Sequence, residues 1–188
     1  MNEASNQEPT MPVAKLRALV RTVPDFPKAG IQFRDVTTLI ADAAGFAATI
    51  EHLAQRADGL RIDMIAGIEA RGFIFGAALA VHMGVGFLPI RKPGKLPGVT
   101  IGQNYDLEYG SDRVEIHADA VRDGMHILLV DDLIATGGTA LAAAALLRSA
   151  GARIEHALFV VDLPDIGGAE RLAEAGLKVT SLMEFEGD

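Results

Sequence analysis

Short apolar runs alternate with amphipathic or small-residue segments along most of the chain. The apolar runs predict buried strands at residues 62–68, 85–90, 126–132, 154–162 and about 177–184. The segments between them predict helices at residues 12–22, 42–56, 71–83, 137–149 and about 167–175, with Asp42 as one N-terminal cap. Strands that alternate with helices favour a mostly parallel sheet with helices on both faces, so the predicted class is α/β.

Two segments interrupt this alternation. Residues 91–104 are rich in glycine and proline, which predicts a mobile loop. Residues 105–110 and 112–117 then alternate in polarity around a Gly-Ser pair, which predicts a hairpin. Residues 1–10 are polar without periodicity, so we expect a disordered tail before one domain over residues 11–188.

Composition excludes several classes of function. The 188 residues contain no cysteine, no apolar run long enough for a membrane span and no signal-peptide pattern, so we expect a cytoplasmic protein with no membrane partner. The formal net charge is −8, and basic residues cluster only at Arg91, Lys92 and Lys95. Three cations suit one small anion but cannot neutralise a nucleic-acid backbone, so no nucleic-acid partner is expected.

The stretch ILLVDDLIATGGTA, residues 127–140, holds the strongest chemical pattern. We expect Val130 to end a buried strand, which places Asp131 and Asp132 at the carboxyl edge of the sheet, where α/β proteins bind ligands. The following turn leads into a helix whose backbone N–H groups suit a phosphate. Its residues are Ala135, Thr136, Gly137, Gly138 and Thr139. Carboxylates beside a phosphate site suit ribose hydroxyls or Mg²⁺, so the stretch predicts a site for a phosphorylated ribose. The alternative is a turn with aspartate caps.

This stretch resembles the ribose-phosphate motif of type I phosphoribosyltransferases. Four further segments resemble the adenine phosphoribosyltransferase family, and the likeness spans roughly residues 13–186. They are FPKAGIQFRD (26–35), GIEARGFIFG (67–76), RKPGKLPG (91–98) and YDLEYG (105–110). The resemblance implies the type I phosphoribosyltransferase fold with a small hood at about 23–40 and a flexible catalytic loop at about 91–113. It also implies AMP and pyrophosphate formation from adenine and phosphoribosyl pyrophosphate (PRPP) with Mg²⁺, in a homodimer.

The resemblance assigns residues around the leaving pyrophosphate. Glu69, Ala70 and Arg71 would form a pyrophosphate loop with a cis peptide between Glu69 and Ala70, and Arg71 would also be catalytic. Arg91, Lys92 and Lys95 would form a second anion site. From the residues alone, an ordinary turn and a solvated basic loop remain open.

The resemblance also assigns the groups around the base. Glu108 would be the acid–base residue, and Tyr105 and Tyr109 would cover the ribose and phosphate. Gln32, Phe33 and Arg34 would form the adenine hood: a backbone pair on Gln32, a stacking face on Phe33, and an Arg34 that contacts PRPP or orients the hood. From the residues alone, Glu108 could instead be a surface glutamate and Phe33 a core phenylalanine. Asp131 and Asp132 would contact Mg²⁺ directly or through water.

Ala135 separates the possible bases. Relatives that use 6-oxopurines typically carry aspartate at this point of the motif, so alanine favours adenine. Two other functions stay open: a phosphoribosyltransferase for another nucleobase, and a non-catalytic regulator that binds PRPP. The five histidines show no metal-ligand spacing.

Overall fold

A computed structural model of the chain describes residues 9–106 and 110–187. The helices are α1 Val13–Leu19, α2 Thr37–Ala41, α3 Ala43–Arg56, α4 Gly72–Met83, α5 Gly138–Ser149 and α6 Gly168–Glu174. The strands are β1 Arg21–Pro24, β2 Gln32–Asp35, β3 Met64–Ile68, β4 Gly86–Ile90, β5 Thr100–Asp106, β6 Ser111–His117, β7 Ile127–Ile134, β8 His156–Asp162 and β9 Lys178–Glu184. Within these residues no helix is long and apolar enough to span a membrane.

The central sheet has five parallel strands in the order β4-β3-β7-β8-β9. Alternate residues of each strand face opposite sides of the sheet, and both sides are covered. On one side α1 to α4 pack on residues such as Ile65 and Leu128. On the other side α5, α6 and β6 pack on residues such as Ala66 and Leu129. The predicted α/β class with helices on both faces is confirmed.

Strand β7 is longer than predicted. Its pairing with β3 ends at Gly67 opposite Val130, but its pairing with β8 continues to Ile134 opposite Asp162. The prediction that Val130 ends the strand is therefore wrong. Because the pairing with β3 stops there, one edge of the following β7 residues is left open beside the start of α4. The two acids occupy this open part of the strand.

The predicted hairpin is present, but its first strand begins earlier. Strand β5 pairs with β6 from Thr100 opposite His117 to Asp106 opposite Ser111. The prediction of a loop over 91–104 is therefore wrong for residues 100–104, and the predicted flexible loop over 91–113 contains paired strand. The predicted disordered tail lies mostly outside the described residues, as do Glu108 and Tyr109.

A second antiparallel pair forms a two-stranded sheet of its own, separate from the central sheet. Strands β1 and β2 pair from Arg21 opposite Asp35 to Pro24 opposite Gln32, and we call residues 21–35 the hood. Helix α1 was predicted to run to Thr22 but ends at Leu19, because the next residues enter β1. Asp42 caps α3 as expected, since its carboxylate accepts a hydrogen bond of 2.7 Å from the Gly45 N–H.

Candidate active site

A cavity of about 250 Å³ lies at the carboxyl ends of β3, β4 and β7. It brings together three segments that are far apart in sequence: the turn after β3, Lys92 after β4, and the end of β7 with the turn into α5. Its lining consists of Ile68, Glu69, Ala70, Arg71, Lys92, Phe159 and residues 131–140. The cavity thus lies at the strand ends where ligand binding is expected in an α/β sheet.

Asp131 and Asp132 both line this cavity. Asp131 Oδ1 accepts a hydrogen bond of 2.9 Å from the Asp132 N–H. Arg71 Nε lies 2.8 Å from Asp132 Oδ2, but no hydrogen bond reaches that oxygen, so the contact is an ion pair of poor hydrogen-bond geometry. The Asp132 side chain is only 6% exposed.

The acid pair carries an electrostatic cost. Burial raises the pKa of the Asp131 carboxyl well above its ordinary 3.8, and the charge of Asp132 raises it further. Burial also raises the pKa of Asp132, although the Arg71 guanidinium opposes that shift. Because the two carboxylates are buried next to each other and Arg71 pairs with Asp132 alone, further positive charge or hydroxyl donors would stabilise their ionised forms.

The turn after β3 supplies Arg71 and begins α4. The peptide between Glu69 and Ala70 is cis, as the resemblance implied. Gly72 follows directly, and a Cβ there would lie 2.6 Å from Asp131 Oδ1. The absence of a side chain at Gly72 is therefore what lets α4 start against the Asp131 carboxylate.

The turn between β7 and α5 has the shape expected of a phosphate site. Gly137 has φ +77° and precedes the first residue of α5, and the helix start, whose backbone N–H groups suit an anion, lines the cavity. A Cβ on Gly137 would lie 2.9 Å from the Gly168 carbonyl oxygen, and a Cβ on Gly168 would overlap the Ala135 carbonyl oxygen. Arg171 Nη1 also donates a hydrogen bond of 2.6 Å to the Thr136 carbonyl.

This support from α6 was not predicted from the sequence. Gly168 and Arg171 lie 28 and 31 residues after Ala140, the last residue of the motif, and only the Gly167-Gly168 pair in the sequence hinted at a close backbone approach. The start of α6 thus supports the turn at residues 135–139, which we call the phosphate-site turn.

Glu69 organises the predicted second anion site. Its carboxylate accepts hydrogen bonds from Arg91 Nε at 3.2 Å, Arg91 Nη2 at 3.3 Å and the Lys92 N–H at 2.9 Å. Burial pushes the pKa of Glu69 upward, but these donors outweigh it and the pKa is lowered. Lys92 lines the cavity, whereas Arg91 is engaged with Glu69 and Lys95 is exposed outside the lining. The structure therefore brings one of the three predicted cations to the cavity.

Tyr105 contacts the phosphate-site turn through its hydroxyl. Thr139 Oγ1 donates to Tyr105 Oη at 3.2 Å, Lys92 Nζ donates to it at 2.6 Å, and Tyr105 donates to Asp112 Oδ2 at 2.9 Å. Lys92 Nζ also donates to Asp112 Oδ2. The sequence analysis did not single out Asp112, because an aspartate near a hairpin turn is a common surface feature.

The hood lies beside the cavity rather than in its lining. Phe33 packs edge-on against Phe26, with ring centroids 5.2 Å apart, and the Arg71 guanidinium lies 5.6 Å from the centroid of Phe33. Arg71 thus lies between the acid pair and the aromatic face. Phe33 was expected to offer a stacking surface, and it is only partly buried.

Arg34 does not line the cavity. Its Nη1 donates to Thr22 Oγ1 at 2.6 Å, its Nη2 donates to the Glu186 carbonyl at 2.8 Å, and its guanidinium lies 4.9 Å from the centroid of Phe185. Of the two roles expected for Arg34, these contacts favour orientation of the hood against the C-terminal segment over contact with PRPP.

Comparison with known proteins identifies the family. The phosphoribosyl transferase domain model matches residues 36–175. An adenine phosphoribosyltransferase of Erythrobacter litoralis is 63% identical over 94% of this chain and 99% of its own length. The chain belongs to the adenine phosphoribosyltransferase family. One from Novosphingobium aromaticivorans is also 63% identical, over 92% of this chain and 97% of its own.

Solved structures of the family share the fold described above. The adenine phosphoribosyltransferase of Thermoanaerobacter pseudethanolicus superposes with a TM-score of 0.89 at 46% identity, covering 92% of this chain and 99% of that one. The enzyme of Giardia lamblia, complexed with 9-deazaadenine, has a TM-score of 0.88 at 34% identity, covering 94% and 99%. The predicted fold and family are confirmed.

Proposed function

We propose that this site transfers the phosphoribosyl group of PRPP to adenine, forming AMP and pyrophosphate. The observation that carries the proposal is the meeting, in one cavity, of the phosphate-site turn, the buried acid pair and Arg71. These groups match the 5′-phosphate, the ribose hydroxyls and the leaving pyrophosphate of PRPP in turn. The family membership agrees with this assignment.

In the reaction, the bond between ribose C1 and the pyrophosphate oxygen breaks, and a nitrogen of adenine forms the new bond to C1. Backbone N–H groups at the start of α5, including that of Thr139, and the Thr136 hydroxyl would hold the 5′-phosphate. Asp131 and Asp132 would accept hydrogen bonds from the ribose hydroxyls. Arg71, Lys92 and the backbone of the Glu69-Ala70 turn would stabilise negative charge on the pyrophosphate as it leaves.

The acid pair also fits Mg²⁺ bound with PRPP. Asp132 Oδ2 is buried and accepts no hydrogen bond, and the repulsion between the two carboxylates would fall beside a cation. Oxygen ligands suit Mg²⁺, which would neutralise phosphate charge. In the described part of the chain no three carboxylates or histidines gather into a metal cage, so PRPP and water would complete the ligand set.

Recognition of adenine would fall to the hood. Gln32 lies opposite Pro24 in the last pair of the β1–β2 ladder. The backbone C=O and N–H of Gln32 would contact the amino group and a ring nitrogen of adenine, with the Phe33 ring stacked on the base. Ala135 adds no carboxylate near the base, which favours adenine over 6-oxopurines. Glu108 would be the acid–base group, with Tyr109 beside it.

The assignment of the base is tested by direct assay. The protein is incubated with PRPP, Mg²⁺ and one of adenine, hypoxanthine or guanine, and nucleotides are separated by chromatography. We expect AMP from adenine, no more than traces from the other two, and no product without Mg²⁺. Comparable turnover of hypoxanthine would contradict the adenine assignment, and no turnover of any base would contradict catalysis.

We further propose a homodimer in the cytoplasm. Val81 is 83% exposed and Ile74 is 39% exposed on α4, and apolar side chains on one helix suit an interface between subunits. Light scattering would give twice the chain mass of 19.8 kDa if the dimer forms. Fluorescence microscopy of a tagged chain would test the location.

A further inference from the structure

We propose that Asp112 is a positioning residue that, together with Tyr105, holds the Lys92 ammonium at the cavity edge so that it faces the leaving pyrophosphate. This inference rests on the proposed function, because it concerns how that site orients one of its cations. Asp112 itself does not line the cavity. It would act on PRPP only through Lys92.

The contacts form a continuous path from the hairpin to the phosphate-site turn. Asp112 lies directly opposite Tyr105 in the β5–β6 ladder, which sets the two side chains side by side on one face. Lys92 Nζ donates to both of them, and Thr139 at the start of α5 donates to the Tyr105 hydroxyl. Asp112 is further held because its Oδ1 accepts from the Arg113 N–H at 2.7 Å.

One N–H group of the Lys92 ammonium is left after its hydrogen bonds to Tyr105 and Asp112. The Tyr105 oxygen donates once and accepts twice, which is its full capacity. The Lys92 ammonium has three N–H groups, and two of them go to Tyr105 and Asp112. Among the contacts of the described residues the third N–H has no protein acceptor, and Lys92 borders the cavity. The third N–H is therefore available to a phosphate oxygen.

The charged side chains nearest to Asp112 and Lys92 are paired with other residues. Arg113 is the next residue of β6. Its Nε donates a hydrogen bond of 3.0 Å to Glu115 Oε1, and its Nη1 donates one of 3.0 Å to Asn104 Oδ1. The Glu69 carboxylate accepts a hydrogen bond from the backbone N–H of Lys92, but its ion pair is with the Arg91 side chain. A lysine side chain samples many rotamers when free, so fixing its ammonium before PRPP arrives lowers the entropic cost of binding.

Asp112 could instead compete with pyrophosphate for Lys92, and this role predicts the opposite change in PRPP affinity. If Asp112 competed with pyrophosphate for Lys92, removal of its charge would tighten PRPP binding. Positioning predicts weaker binding, because the freed lysine must be ordered by the ligand. The sign of the change in PRPP affinity therefore separates the two roles.

The test compares D112N and Y105F with D119N as the charge-matched control, since Asp119 is exposed in the turn after β6. PRPP affinity with Mg²⁺ is measured by calorimetry, and KM for PRPP and for adenine by steady-state assay. We expect D112N and Y105F each to weaken PRPP binding about tenfold, the loss typical of one charge-assisted hydrogen bond. KM for adenine should stay within about twofold, and D119N should match the parent chain.

The variant K92M separates failure of this inference from failure of the proposed function. If K92M leaves PRPP affinity unchanged, the anion-binding role of Lys92 fails, and the proposal for Asp112 fails with it. If K92M weakens binding but D112N and Y105F leave it unchanged or tighten it, only the positioning role is overturned. In the K92M background D112N should cause no further loss, whereas a merely structural effect of Asp112 would persist there.

Discussion

Arg71 Nε lies 2.8 Å from Asp132 Oδ2, and this ion pair joins the turn after β3 to the acid pair of β7. The Arg71 side chain lines the cavity and is 38% exposed, so it remains accessible to a ligand. Its guanidinium also lies 5.6 Å from the centroid of Phe33 in the hood. One side chain thus contacts the groups assigned to the ribose and to the base, while facing the space assigned to pyrophosphate.

We expect D131N to make the unliganded protein more stable at pH 7 and to weaken PRPP binding about tenfold. The folded-state pKa of Asp131 is raised, so its ionised form is disfavoured in the fold, and the cost appears as pH rises from 3.8 through the raised pKa. Removing the charge should add about 1 kcal/mol, or roughly 3 °C in Tm. Thermal melts at pH 7 and calorimetry with PRPP measure the two effects.

The gain in stability should depend on pH. Below the ordinary pKa of 3.8 the carboxyl is protonated in both the folded and the unfolded chain, so the Tm difference between D131N and the parent should vanish there. A difference that stayed constant from pH 7 to that range would show that the Asp131 charge is not its cause.

The variant G168A should impair the phosphate-site turn. A Cβ on Gly168 would overlap the Ala135 carbonyl oxygen and lie 2.9 Å from the Gly137 nitrogen, so either the turn or α6 must shift. We expect PRPP affinity to fall by about tenfold or more, with a loss of about 1 to 3 kcal/mol in stability. G86A is the matched control, because a Cβ on Gly86 would meet only Met64 at 3.5 Å. Parent-like PRPP binding by G168A would rule out tight support from α6.

Asp35 should stabilise the hood in a pH-dependent manner. Hydrogen bonds from the Thr37 hydroxyl, from Arg21 and from the Thr37 N–H lower the pKa of Asp35 to about 2. This stabilisation is present above 3.8 and is lost as pH falls through about 2. We expect D35N to cost about 1 kcal/mol at pH 7, after allowance for solvent screening of Arg21. Urea unfolding at pH 7 and pH 2.5 would measure it, and an equal cost at both would contradict the assigned cause.

Glu108→Gln should lower kcat while PRPP affinity stays within a few-fold. The base must exchange a proton as its nitrogen attacks, and the amide cannot take up or release one. Steady-state kinetics with adenine, together with calorimetry for PRPP, would separate the two effects. Unchanged kcat would remove Glu108 from the acid–base role.

Local patterns of sequence predicted the elements well where one rule dominated. Apolar runs marked the five strands of the central sheet, and Asp42 marked the start of α3. The prediction failed for β5, because residues 100–104 contain polar and glycine positions whose strand conformation depends on pairing with β6. It also ended β7 too early, since the acids are held in the strand by β8, a partner outside the motif.

The sequence by itself determined the α/β class, the family and the location of the acid pair and phosphate-site turn, because these depend on contiguous residues with distinctive chemistry. The tertiary structure decided which predicted cation borders the cavity: Lys92 does, while Arg91 is bound to Glu69. It also revealed the support from Gly168 and the Asp112 contact with Lys92. Such contacts join segments far apart in sequence, and their distances follow from how helices and strands pack rather than from any local pattern.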